Sequence, residues 1–153
     1  MRDDSKTKLR GALSAYAERA AKAPLKSDAA HASERRTCGE KLRTLVLPLL
    51  DAVMAELREA GHEAATRDHT DRENAYPSVA LSFTPKSHFA LASALIFRYD
   101  PRHGVVVHAD VKPAPTARTA TGERLGTIGV DALSGEWVET KTLNFIQAVL
   151  KAN

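Results

Sequence analysis

The spacing of apolar residues divides the chain into a helical N-terminal part, a strand-rich middle and a C-terminal helix. Over residues 5–23, apolar side chains recur every three or four positions, which predicts an amphipathic helix that ends at Pro24. A stronger helical repeat covers residues 42–57 and ends near Gly61. Pro48 lies within this repeat, so we expect a kink or a new helix start there. The apolar residues of the repeat are Leu42, Leu45, Val46, Leu49, Val53, Met54 and Leu57.

After Gly61 the period of the apolar residues changes to two, which is typical of strands. Pro101 and Gly104 predict a tight turn that joins two of these strands in a hairpin. Residues 112–123 are rich in proline and threonine and predict an exposed loop. Gly126 and Gly129 indicate a bulge, added twist or the close approach of a helix. The predicted strands cover residues 62–68 at the sheet edge, 79–83, 89–99, 105–111 and 124–130.

Ser134 and Gly135 are predicted to begin a C-terminal helix. Since no helical segment separates the strands, neighbouring strands should run antiparallel. We therefore predict an α+β fold with two N-terminal helices, an antiparallel meander of four to five strands, and the C-terminal helix packed on the sheet. Residues 1–26 are expected to form an N-terminal helix or mobile arm, and residues 27–153 a single domain. The buried stripe of the last helix is predicted as Val138, Thr142, Phe145, Ile146 and Val149, widened by Trp137, Leu143 and Leu150.

The composition is that of an ordinary globular protein. A chain of 153 residues, 43% of them apolar and 27% charged, fits one globular domain. The single cysteine, Cys38, excludes an intramolecular disulfide framework. No apolar run reaches the ~18 residues that span a bilayer, and the N-terminus lacks the apolar core of a signal peptide, so we expect a cytoplasmic protein without membrane contact. The abundance of alanine and arginine is typical of a GC-rich bacterial source.

The net charge of +3 is unevenly distributed. Residues 1–50 carry 11 Lys and Arg against 6 Asp and Glu, whereas residues 51–100 carry 5 against 8. A basic N-terminal third permits contact with nucleic acid or an acidic protein, although interspersed glutamates also fit a solvated helix face. The candidate partner-binding residues are Arg10, Arg19, Arg35, Arg36 and Arg98.

Two His-X-Asp pairs are the candidates for a metal site. His69 with Asp71, and His108 with Asp110, would together supply four nitrogen and oxygen ligands for zinc or another divalent ion if they met in space. Their spacing matches no zinc module whose ligands are fixed by sequence, so surface polarity is the simpler interpretation.

No other sequence pattern indicates a specific catalytic or binding site. The possible nucleophiles Cys38, Ser93 and Ser134 lack a nucleophile elbow. Phe97 and Tyr99 share one strand face with Leu95, which favours a core role over stacking on nucleic acid. The sequence therefore assigns no catalytic residue and no cofactor.

Three hypotheses of function remain open. The favoured one is a small non-enzymatic protein-interaction module, adaptor or chaperone-like, that forms a homodimer through its helices, because the Ala-rich first helix needs a helical partner. Its sheet edge or outer face is expected to take a protein partner of unknown identity, because an edge strand can extend a sheet. The second is a nucleic-acid-binding accessory protein that uses the basic N-terminal third. The third is a metal-dependent enzyme centred on His108 and Asp110. The order of elements resembles many small bacterial domains, secretion-chaperone-like ones included, but this likeness implies no site.

Overall fold

A computed structural model of the chain describes residues 3–22, 28–71, 76–87, 90–112 and 121–153. The chain separates into two compact units, Met1–Ala30 and His31–Asn153. The first unit contains helix α1 and the first turn of α2, and the second contains every other element. The helices are α1 (Asp3–Lys22), α2 (Asp28–Lys41), α3 (Leu47–Glu59) and α4 (Gly135–Ala152), with a π-helical segment at Leu42–Val46 and a 3₁₀ turn at Val130–Ala132.

The second unit is built on a five-stranded antiparallel sheet in which every strand pairs with its neighbour in sequence. The predicted α+β meander is therefore confirmed, and the first strand lies at an edge as expected. The strands are β1 (Glu63–Asp68), β2 (Ser78–Thr84), β3 (Ser93–Asp100), β4 (Gly104–Val111) and β5 (Thr121–Ile128).

One face of the sheet is covered by helices and holds the core. Alternate residues of β2, β3 and β4 are buried on this face, as the period of two requires. The opposite face carries small half-buried residues such as Ala80, Ser82 and Ala94. The core residues include Val79, Leu81, Phe83, Leu95, Phe97, Tyr99, Val105 and Val107 from the sheet, and Cys38, Leu42, Val46, Leu50, Val138, Phe145 and Val149 from the helical layer.

Pro48 marks a change of helix type rather than a break. The backbone stays helical through Leu42–Val46, but the Leu47 N–H donates to the Leu42 carbonyl, five residues back. Proline has no N–H, and its ring crowds the carbonyl four residues before it. A wider π turn placed immediately before Pro48 accommodates both effects, and α3 then begins with Pro48 in its first turn.

Gly104 and Gly126 are two of the three described glycines whose backbone conformation other residues rarely adopt. Gly104 has φ +93° and closes the β3–β4 turn, which confirms the predicted hairpin. Gly126 has φ +145° beside a register shift in the β4–β5 pairing, so the last strand contains the expected bulge. Leu125 lies at this bulge, and its carbonyl accepts a hydrogen bond of 2.8 Å from Lys141 Nζ on α4.

Several predicted boundaries and faces are wrong. β3 begins at Ser93 rather than 89, which leaves Leu91 exposed ahead of the strand. β5 begins at Thr121, within the predicted loop 112–123, because this segment pairs with the full length of β4; residues 113–120 of that loop lie outside the described residues. On α4, Leu143 and Leu150 remain half exposed instead of widening the buried stripe.

Candidate functional site

The second unit has an apolar groove between α3 and α4. Its volume is about 490 Å³. We call it the α3–α4 groove. It is lined by Leu49, Ala52, Val53, Glu56 and Leu57 of α3 and by Glu139, Leu143 and Ile146 of α4.

The groove exists because α3 carries apolar residues on more than one face. Leu50 points into the core and is fully buried. Leu49, Val53 and Leu57 follow each other at steps of four on the neighbouring face and stay partly buried. Because this apolar stripe is wider than the contact of the helix with the sheet, part of its apolar surface stays accessible after packing.

The wall contributed by α4 has the same character. Val138, Phe145 and Val149 enter the core, while Leu143 is 50% exposed beside the groove. Sequence periodicity places Leu143 next to the buried stripe, but it cannot tell whether another element covers it. The exposure of Leu143 is therefore apparent only from the folded structure.

Charge distinguishes this groove from a simple gap in packing. Glu56 and Glu139 are exposed, one on each wall, and no Lys or Arg is among the described residues that line it. An acidic, apolar groove favours an amphipathic segment with an apolar stripe and flanking cations. Sequence analysis missed both glutamates, because only the fold brings residues 56 and 139 to one groove.

Helix α1, in the first unit, has this complementary pattern. Leu9, Leu13 and Tyr16 form one stripe at spacings of four and three residues. They are exposed by 47%, 59% and 63%, respectively. At ~100° per residue, Lys6 and Arg10 flank the stripe on one side and Lys8 flanks it on the other.

The candidate partner-binding arginines lie on three elements, α1, α2 and β3. Arg10 is exposed on α1, and Arg35 and Arg36 are exposed on α2. Arg19 lies on α1, and its side chain is outside the described part of the chain. Arg98 is exposed on the sheet face opposite to that of Phe97 and Tyr99, as its position in the strand predicts.

The two His-X-Asp pairs lie far apart. His69 follows edge strand β1, and His108 is in β4, so β2 and β3 lie between them, about 14 Å at the usual strand spacing. Asp71 pairs with Arg43, and Lys112 Nζ lies 3.2 Å from a carboxylate oxygen of Asp110. Among the described residues, no group of three or more His, Cys, Asp and Glu is placed to hold a metal ion.

The environments of the three possible nucleophiles fit structural roles. Cys38 is fully buried, and this burial, followed by the nearby charge of Glu34, raises the pKa of its thiol to about 12. The Ser93 hydroxyl oxygen accepts a hydrogen bond of 2.9 Å from the Lys112 N–H. The Ser134 hydroxyl oxygen accepts from the Trp137 N–H and caps α4.

Comparisons with protein-family models, with curated proteins and with solved structures find no match to this chain. Within the described part of the chain, none of the helices combines the length and hydropathy needed to cross a membrane.

Proposed function

We propose that this chain is a non-enzymatic protein-interaction module that forms a homodimer through its helices, with the α3–α4 groove as a contact surface. The observation that carries the proposal is Leu143, half exposed beside a groove lined mostly by apolar side chains. Full burial of a leucine stabilises a complex by about 1.5–3 kcal/mol. Covering the exposed half of Leu143 therefore contributes about 1 kcal/mol, and the other groove residues add to it.

Sedimentation equilibrium over a wide range of protein concentration tests this proposal. The variant Leu143→Arg places a charge in the groove at a position that is already half exposed, so the fold should tolerate it. The matched control is Leu91→Arg, because Leu91 is 56% exposed and does not line the groove. Both variants should retain the circular dichroism spectrum of the wild type.

The expected result is a dimer for the wild type and for Leu91→Arg, and a monomer for Leu143→Arg. A wild-type chain that stays monomeric at every concentration would refute self-association. Equal association of the two variants would show that the groove is not the contact surface.

A further inference from the structure

We infer that the occupant of the α3–α4 groove is helix α1 of a second copy of this chain, exchanged reciprocally between the two copies. This inference rests on the proposed function and specifies which segment makes the contact. Two surfaces of the chain, the groove and the apolar stripe of α1, match in length, hydrophobicity and charge.

The apolar parts match in length. Leu49, Val53 and Leu57 extend over about 12 Å of α3, at 1.5 Å per helical residue. Leu9, Leu13 and Tyr16 extend over about 10.5 Å of α1 by the same measure. Both sets of side chains keep accessible surface that a helix-in-groove contact would cover.

The charges match in sign and in position. Glu56 stands on the α3 wall and Glu139 on the α4 wall. On α1, cations flank the stripe on both sides, with Arg10 on one side and Lys8 on the other. A helix laid in the groove therefore brings a cation toward each acidic wall.

The same charges argue against a symmetric contact of groove with groove. That arrangement would face the glutamates of one copy with those of the other, and like charges in an interface are repulsive. Reciprocal exchange of α1 places two helix-in-groove contacts in one interface. A specific interface buries roughly 1,200–2,000 Å² in total, and two such contacts approach this area more readily than one.

A pair of charge-reversal variants of this chain tests the inference. The groove variant carries Glu56→Lys and Glu139→Lys, and the helix variant carries Lys8→Glu and Arg10→Glu. Each variant alone presents like charges across the contact, so its dimerisation should weaken by more than about tenfold. A 1:1 mixture restores opposite charges in one contact and keeps the native pair in the other, so it should form a heterodimer.

A C-terminal affinity tag on the groove variant allows co-elution of the helix variant to be measured beside light-scattering mass. Recovery of a 1:1 heterodimer shows that both variants are folded and that the two surfaces meet. The matched control, Thr7→Glu with Ser14→Glu, adds negative charge to the opposite face of α1 and should dimerise as the wild type does.

The outcomes separate this inference from the proposed function. If both charge variants dimerise like the wild type while Leu143→Arg does not, the groove is a dimer contact but α1 is not its occupant. If both variants are monomeric and their mixture is too, the pairing is overturned. A monomeric wild type overturns both statements.

Discussion

Replacing Gly104 by alanine tests how closely the β3–β4 turn packs against the chain that leads to α4. Gly104 has φ +93°, a conformation that costs an alanine about 1–2 kcal/mol. Its added Cβ would lie 2.5 Å from the Ile128 carbonyl oxygen and 2.9 Å from both Gly129 Cα and Val130 N. Because these are backbone atoms, the chain must shift, and such overpacking costs about 1–3 kcal/mol. We expect a total loss of about 2–5 kcal/mol.

Gly61→Ala is the matched control. Gly61 has φ +94°, but the atoms nearest to its added Cβ belong to the flexible Lys86 side chain, at 3.5 and 3.8 Å. It should therefore lose only the conformational cost of about 1–2 kcal/mol. Urea unfolding followed by the fluorescence of Trp137, the one tryptophan of the chain, measures both losses. The Leu143→Arg background keeps dimerisation out of the equilibrium. Equal losses at the two glycines would refute the argument from backbone overlap.

Two further predictions concern buried ionisable groups. With a pKa of about 12, the Cys38 thiol is ionised in about one molecule in ten thousand at pH 8. A disulfide reagent should therefore label the native chain slowly and the urea-unfolded chain fast. Equally fast labelling of the two would contradict this prediction. Burial and the Glu34 carboxylate raise the pKa of Tyr99 to about 12, above its unfolded value of ~10. The unfolded chain then loses this proton first, so the free energy of unfolding should fall as pH rises from about 10 to about 12; Tyr99→Phe should flatten this fall in pH-dependent urea melts, and an unchanged slope would count against the assignment.

Features that depend on neighbours in sequence were predictable. The alternation of Val79, Leu81 and Phe83 identifies β2 and its buried face, because side chains of a strand alternate between faces. Pro101 and Gly104 locate the hairpin turn, since both act on their own backbone angles. Ser134 marks the start of α4 by capping it.

Features that depend on the assembled fold were not predictable in the same way. Leu143 has the spacing of a buried residue, but no described element covers that side of α4. Glu56 and Glu139 come from helices separated by the whole sheet in sequence, so their position on one groove follows only from the packing of α3 beside α4. Likewise, strand order rather than local pattern keeps His69 away from His108.

The π-helical segment before Pro48 fixes the angular phase of α3. Cys38, Leu42, Val46 and Leu50 are all buried at steps of four, although a regular α-helix drifts by about 40° at each such step. The wider turn at Leu42–Val46 takes up part of that drift. Deleting one residue there would remove the extra residue of the wider turn and restore regular winding, and Leu50 should stay in the core, because eleven steps of about 100° from Cys38 end within about 20° of the same direction. Inserting one residue, by contrast, would add about 100° of rotation and change which side of α3 meets α4. The one extra residue of the wider turn therefore keeps Leu50 aligned with Cys38 across Pro48, and this alignment sets the orientation of the groove.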